Sequence, residues 1–300
     1  MKYLKYYIST LTLIIGISTC FRGEYYPSIF FLCFSLFIIL GDIILSEDKN
    51  EASYSYPLLL NLPMYINFFL LLGIVLMAVS VLVDNPSHAF NSLILEYLYI
   101  DLYDSGRSMN IVDSISLTAL IGLFIGIMGT VPGHELVHRK KKKFDMEMGN
   151  WLLAFSWDCA FAVEHVYGHH KNVGLEIDPA TARRGENIYK FIFRAIVNEH
   201  VDAWKIERNR SKRNKTSLLG FNNRMITGYF RSICLTIFSY IIGGFSGIMV
   251  FMMFALISKA LLEVINYTEH YGLVRVEGQP VQPRHSWNSN SVMSSIYLYN

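Results

Sequence analysis

Six of the nine histidines lie in three short clusters whose spacing suits metal binding. These six are His134, His138, His165, His169, His170 and His270. Residues four apart on a helix lie on one face, with about 5–6 Å between their Cβ atoms. The first two clusters each contain such a pair, so each pair can share a metal ion. The remaining histidine of the second cluster, His170, diverges from its neighbours on a helix, and this indicates two ions rather than one.

Each cluster also contains a carboxylate beside a histidine, namely Glu135, Glu164 and Glu269. Carboxylates commonly accept a hydrogen bond from the second ring nitrogen of a metal-bound imidazole, so these three are candidates for orienting the ligands. Plain solvation at a helix end is the alternative for each of them. His285 is a further candidate for this supporting role. The two histidines at positions 88 and 200 are expected to be structural or solvated.

The first cluster, Gly133-His134-Glu135-Leu136-Val137-His138, also matches the H-E-x-x-H pattern of zinc proteases. In that reading Glu135 is the general base, and a distal carboxylate on another membrane span completes the site. The later apolar segments show no carboxylate near their middle. An intramembrane zinc protease therefore stays an alternative, as does an inactive membrane protein that binds metal. Imidazole donors suit iron, copper or zinc, and two irons are the preferred assignment.

The elements that position these histidines are expected to be membrane helices. A chain with 52% hydrophobic and only 17% charged residues is too apolar for ordinary soluble domains. Six segments approach the 20 or so apolar residues that cross a bilayer as a helix. We place them at residues 6–22, 28–46, 64–83, 111–132, 230–247 and 249–267. The first is interpreted as a helix and not a signal peptide, because no small-residue cleavage site follows it. The fold class is therefore all-α, as one membrane-embedded domain over residues 1–300.

The basic loops indicate the orientation of these helices. The run at 139–143 contains one Arg and four Lys, whereas the loop at 84–110 has four acidic residues and one Arg. By the positive-inside rule, region 133–229, both termini and the metal site are expected to be cytoplasmic. Within this region, Trp151 to Val163 is expected to form an interfacial helix, and Ala203 to Arg208 an amphipathic one. The four cysteines show no metal or disulfide spacing and are expected to be small buried hydrophobes.

Three motifs give the chain a resemblance to a known family. They are His-Glu-Leu-Val-His at 134–138, Glu-His-x-x-Gly-His-His at 164–170 and Asn-Tyr-x-Glu-His-Tyr-Gly-Leu at 266–273. In order and spacing they resemble the histidine motifs of the membrane-bound alkane monooxygenases, within the fatty acid desaturase and hydroxylase superfamily. Asp178-Pro179-Ala180-Thr181-Ala182-Arg183 and the segment 284–290 extend the likeness over most of the chain.

The resemblance implies a non-haem di-iron enzyme that hydroxylates the terminal methyl of medium-chain alkanes, with dioxygen and two electrons. It further implies a rubredoxin-type or ferredoxin electron donor, a hydrocarbon substrate from membrane lipid, and a bacterial inner membrane. No nucleic-acid partner is expected. Desaturation or hydroxylation of a fatty acyl chain, and oxidation of an aromatic methyl group as in xylene, are the alternatives within this chemistry.

The chain departs from the family pattern at its end. Family members continue after a segment like Ser294-Ser295-Ile296-Tyr297 into a motif of the form R-H-S-x-H-H, which supplies three more ligands. We therefore expect the sequence to be a fragment of a functional enzyme rather than a natural protein with six ligands.

Overall fold

The computed structural model describes residues 3–47 and 55–297, and these residues confirm the all-α prediction. Apart from one isolated antiparallel bridge between Glu47 and Ser291, the regular structure in this part of the chain is helical. The chain divides into two compact units, and the single membrane-embedded domain stays a prediction. We call them the apolar unit (Met1–Pro132, Cys234–Ile257 and Asn290–Asn300) and the histidine unit (Gly133–Ile233 and Ser258–Ser289).

The described residues form eleven main helices. They are α1 (Tyr7–Cys20), α2 (Tyr26–Ile44), α3 (Pro57–Leu82), α4 (His88–Leu98), α5 (Leu102–Ser108), α6 (Ile111–Val137), α7 (Lys143–Ala154), α8 (161–172), α9 (Ile188–Asn214), α10 (Arg224–His270) and α11 (Val292–Tyr297). Short 3-10 turns precede α1 at Leu4–Tyr6 and occupy Pro283–His285.

Four of these helices, α2, α3, α6 and α10, are long and apolar enough to cross a membrane. The helix over Leu4–Cys20 is apolar but shorter, so the predicted first span falls below that length. Helix α10 takes the place of the last two predicted spans, and its backbone is non-helical at Gly243 and Gly244. Gly244 has φ of 58°, a left-handed conformation that glycine adopts without steric cost. The chain is an integral membrane protein, while six crossings remain a prediction.

Apolar side chains fill the core of the apolar unit, where α1 and α2 pack on α3 and α6. Phe34 and Phe124 meet edge to face with ring centroids 5.4 Å apart. Polar groups in this core bond to one another: Thr10 donates to Asn67 at 2.7 Å, and Ser28 donates to Asp113. The predicted external loop at 84–110 contains α4 and α5, which are capped by Ser87 and Asp101.

The histidine unit contains α7, α8, α9 and the ends of α6 and α10. Glycines let α6 and α7 approach closely, because a Cβ on Gly133 would lie 3.1 Å from the Gly149 carbonyl oxygen. The predicted interfacial helix at 151–163 is wrong as one element. The chain leaves the helix after Ala154 and begins α8 at Phe161, with Trp157 at a positive φ of 54° in between.

Helix α9 includes the segment 203–208 that we predicted to be amphipathic. Ala203 and Glu207 are buried within the histidine unit, and Ala203 packs in a cluster with Cys159, Val163 and Met225. This segment therefore lies against the part of the unit that contains the second histidine cluster. All four cysteines are free, but only Cys20 and Cys159 are buried as expected.

Candidate metal centre

The first histidine cluster lies at the end of α6. The helix forms a π-helical turn at Gly126–Thr130 and then regular α-helix through Val137. His134 and His138 follow on one face, with ring centroids 4.6 Å apart. The tight approach of Gly133 to α7 fixes this helix end, and the two rings project together from it.

The second cluster is a π-helical turn within α8, over His165–His169. Single π turns inside helices are rare and often occur at functional sites. Here the turn stacks His165 and His169 with centroids 5.0 Å apart and planes 19° apart. Phe161 stacks on the other face of His165 at 4.4 Å, so the His165 ring is held between two others.

Four of the six histidines converge on one point. The potential ligand atoms of His134, His138, His165 and His170 all lie within 4.8 Å of one another. The Nε2 atoms of His138 and His170 are 3.3 Å apart. The Nε2 atoms of His134 and His165 are buried and have no hydrogen-bond partner among the described residues. Buried polar atoms are almost always satisfied, so these orphaned nitrogens fit a bound cation between the four rings.

The other two histidines form a separate pair. His169 and His270 have ring centroids 4.8 Å apart. The Nδ1 atom of each ring has a partner among the described residues. The Asp178 carboxylate lies 3.0 Å from His169 Nδ1, and the His285 carbonyl accepts a hydrogen bond from His270 Nδ1 at 3.1 Å. Both rings therefore keep Nε2 available as a metal donor.

Asp178 contacts a predicted ligand, His169, and our reading of the sequence did not indicate this. Both of its carboxylate oxygens lie within 3.1 Å of His169 Nδ1, and its side chain is fully buried. Thr181 donates to the same carboxylate at 2.5 Å, which orients it. A carboxylate at this place fixes the tautomer and orientation of the imidazole. The only sequence signal was the motif Asp178-Pro179-Ala180-Thr181, which resembled the family without indicating a contact.

The four predicted supporting residues differ in what they contact. Glu135 pairs with Arg139 at 2.9 Å, and its supporting role beside the histidines stays a prediction. Glu269 Oε2 lies 3.8 Å from His270 Nε2. Glu164 is buried with its carboxylate against Gly168. His285 contacts His270 through its backbone carbonyl, while its ring accepts from the Gln282 N–H at 3.0 Å.

Arg275 fixes the chain that follows the third cluster. Its guanidinium donates to the carbonyls of Lys171, Val173 and Gln279 at 2.6–2.7 Å, and the side chain is buried. The first two carbonyls lie just after His170. The clamp therefore joins the segment beyond His270 to the end of the second cluster.

Burial and mutual repulsion keep the converging rings neutral. Burial, and then the neighbouring histidines, lower the pKa of His165 far below its usual value and that of His170 to about 4. Burial also lowers the pKa of His169, but the hydrogen bond and charge of Asp178 outweigh it and the net shift is upward. Neutral imidazoles are the metal-binding form, so His165 and His170 are ready to bind at neutral pH.

The structure also bears on the zinc-protease alternative. A carboxylate does lie within the last predicted span, at Glu263, although most residues of that span are apolar. Its carboxylate is 2.8 Å from the Lys259 ammonium, so it is paired with a cation. Of the two other histidines, His88 packs edge to face on Tyr103, and His200 Nδ1 lies 3.1 Å from the carbonyl oxygen of Ile196 in its own helix.

Comparison with known proteins adds an independent observation. Residues 114–300 match the fatty acid desaturase family. Alkane 1-monooxygenase 1 of Pseudomonas aeruginosa is 35% identical over 184 residues, which cover 60% of this chain and 48% of that protein. An alkane 1-monooxygenase of Pseudomonas putida is 35% identical over 202 residues, covering 64% and 49%.

A second type of relative matches more of the chain at lower identity. The hydroxylase component of the xylene/toluene monooxygenase of Pseudomonas putida is 27% identical over 291 residues, covering 96% of this chain and 72% of that protein. The chain thus spans about half the length of the alkane monooxygenases it matches, and a larger share of the xylene enzyme.

Proposed function

The chain belongs to the fatty acid desaturase family, and from this premise we propose that it forms the histidine site of a non-haem di-iron monooxygenase that hydroxylates the terminal methyl of medium-chain alkanes. The observation that supports this most is the convergence of four imidazoles within 4.8 Å, beside a second histidine pair. The alkane 1-monooxygenases among its relatives supply the reaction class.

We infer two metal ions from the two groups of histidines. His134, His138, His165 and His170 would hold one ion, because their ligand atoms converge and two of them are otherwise unsatisfied. His169 and His270 would contribute to a second, which needs further donors beside these two. The chemistry of an all-imidazole site suits iron, copper or zinc, and the relatives favour iron. When bound, the metal would supply activation of dioxygen and the oxidising power to attack a C–H bond.

The surrounding residues would orient and shield the ligands. Asp178 would hold the proton of His169 at Nδ1 and keep Nε2 toward the metal. Phe161 covers one face of His165 and limits access of water to it. Positioning of the hydrocarbon chain would decide which carbon is attacked. A hydrocarbon dissolved in the bilayer is the expected substrate form for an integral membrane enzyme.

Electrons would come from a soluble donor of the rubredoxin or ferredoxin type. The basic residues of 139–143 and of 183–215 offer a surface for an acidic partner, in addition to their topological role. We expect added salt to slow reduction of the enzyme, since surface charge attraction is screened. Reduction at a rate independent of salt would exclude this docking surface. We infer a cytoplasmic site in a bacterial inner membrane, and the basic loops and the bacterial relatives support this.

Oxidation of an aromatic methyl group is the second candidate, favoured by the match to the xylene/toluene monooxygenase over 96% of the chain. Product analysis separates the candidates. The protein is expressed together with any residues that its gene encodes after Asn300, loaded with iron, supplied with a reductant, and assayed with octane, xylene and a palmitoyl substrate. We expect 1-octanol to be the main product; preferred formation of methylbenzyl alcohol, or of an unsaturated acyl chain, would contradict the alkane assignment.

A further inference from the structure

A buried lysine with three carboxylates lies in the histidine unit and has no role in the site described above. The Lys259 ammonium is 2.8 Å from Asp158, 2.7 Å from Glu199 and 2.8 Å from Glu263. All four side chains are at most 7% exposed. An ammonium group has three protons to donate, and the three carboxylates surround it. We call this group the Lys259 cluster.

The cluster connects the two helices that carry the second and third groups of histidines. Asp158 also accepts from the backbone N–H of Phe161, where α8 begins, and α8 contains His165, His169 and His170. Lys259 and Glu263 lie on α10, the helix that ends at His270. Glu199 adds α9 from a third direction. The position of α8 relative to the end of α10 is thus set through one ammonium group.

Three carboxylates around one ammonium leave an excess of two negative charges if all are ionised. Burying uncompensated charge is far more costly than burying a neutral acid. The neighbouring groups do not supply a second cation, because Glu164 of α8, near Glu199, is itself acidic and Asn266 of α10, bonded to Glu263, is neutral. At least one carboxyl group of the cluster must therefore keep its proton.

Hydrogen bonding distinguishes the three carboxyl groups. Asp158 accepts from Phe161 as well as from Lys259, and Glu263 accepts from the Asn266 amide at 3.1 Å. Glu199 receives a hydrogen bond from Lys259 at 2.7 Å, and the described residues give it no second donor. Glu263 also lies 2.8 Å from the Lys259 ammonium as an ion pair, so Glu199, which has the ammonium alone, has the fewest partners that stabilise its ionised form. Burial, and then the charge of Glu263, raise the pKa of Glu199 well above its usual value.

We propose that Lys259 is a positioning residue for the metal centre. Its ammonium holds the ligand-bearing helices α8 and α10 together through Asp158 and Glu263, and Glu199 completes the cluster as a neutral acid. The proposal rests on the metal centre proposed above. It concerns the assembly of the ligands and not the reaction, so binding of a probe metal tests it without turnover.

The experiment compares near-isosteric variants of the whole chain, purified in detergent, with Co²⁺ as the probe metal. Asp158→Asn removes an anion and Glu199→Gln replaces a neutral acid by a neutral amide. We expect Asp158→Asn to weaken Co²⁺ binding about 10-fold or more and to change the visible spectrum of the bound Co²⁺. Glu199→Gln should bind Co²⁺ like the unmodified chain and unfold at the same or a higher temperature. Its infrared spectrum should lack one protonated-carboxyl band.

Lys259→Arg keeps the positive charge and changes the geometry of the group that donates to the three carboxyl groups. It is the second test variant, and it serves if Asp158→Asn does not fold. We expect it to fold with an altered Co²⁺ spectrum. Normal Co²⁺ affinity and spectrum in both folded variants would reduce the cluster to a purely structural role and overturn the positioning proposal. A Glu199→Gln variant as unstable as Asp158→Asn would overturn the assignment of the neutral acid. Failure of the octane assay with normal Co²⁺ binding would instead count against the proposed reaction alone.

Discussion

The two units of the chain bury very different side chains. Among the described residues, the apolar unit buries one ionisable carboxylate, Asp113, within a core of aliphatic and aromatic groups. The histidine unit buries nine Asp, Glu, Lys or Arg side chains in addition to its histidines. They are Asp145, Asp158, Glu164, Asp178, Glu199, Glu207, Lys259, Glu263 and Arg275. Packing contacts tolerate adjustment, whereas a buried ion pair requires particular partners at particular distances. The first unit is therefore built for stability and the second for placing ligands.

The largest expected effect separates metal binding from folding. Replacing His165 by Ala removes a donor at the centre of the four-histidine group. We expect metal affinity to fall by more than about 100-fold. This exceeds the loss of about 10- to 100-fold that is typical when a residue that only orients a ligand is changed. Metal analysis and Co²⁺ titration measure it. His200→Ala is the matched control, because His200 lies outside the group. Equal affinity in the two variants would contradict the metal centre.

A core substitution in the apolar unit should lower the stability of the fold and leave metal binding unchanged. Leu71 is completely buried in α3, and Leu71→Ala is expected to lower the free energy of unfolding by about 2–4 kcal/mol through a cavity. The metal content of the protein that remains folded should be unchanged. Leu58→Ala, at an exposed position of the same helix, is the control. Loss of metal from folded Leu71→Ala protein would show that the two units do not divide their roles in this way.

The support of a ligand should give an intermediate effect. Asp178→Asn keeps the size of the side chain but removes the charge next to His169. We expect the metal affinity of the His169 and His270 pair to fall about 10- to 100-fold, with little change in helix content. Asp202→Asn, at a partly exposed pair with Lys205, serves for comparison. Competition with a chelator measures the affinity, and equal values for the two variants would remove Asp178 from the centre.

The smallest effect is a pH dependence in the Lys259 cluster. A carboxyl group whose pKa is raised on folding stabilises the folded state fully below its unfolded pKa of about 4.3 and loses that contribution as pH rises. Burial, followed by the charge of Glu263, raises the pKa of Glu199 in this sense. For each pH unit between its unfolded pKa and its raised folded pKa, the unmodified chain should therefore lose up to about 1.4 kcal/mol relative to Glu199→Gln. Denaturant unfolding at several pH values measures this slope, and parallel curves would contradict it.

The histidine clusters and the apolar spans could be found from the sequence because both depend on local spacing. An i, i+4 pair lies on one helix face wherever the helix goes, so His134 with His138 was recognisable at once. Long apolar segments likewise predict membrane helices without knowledge of their partners. Lys259 and Glu263 lie inside a predicted span, and the span was still recognised as apolar because two charges hardly change the mean hydropathy of a long window. Their importance was therefore not apparent from the sequence.

Only the tertiary structure decided which partner each polar group has. Lys259 meets Asp158 across 101 residues and Glu199 across 60. His270 meets the His285 carbonyl through a turn of the following segment, and Glu135 bonds Arg139 and not a ligand. The π turn at His165–His169 is likewise a departure from regular α-helix that the spacing of the histidines did not indicate. Such contacts depend on where distant segments meet, and that is fixed by the sum of all packing interactions rather than by the spacing of residues along one helix.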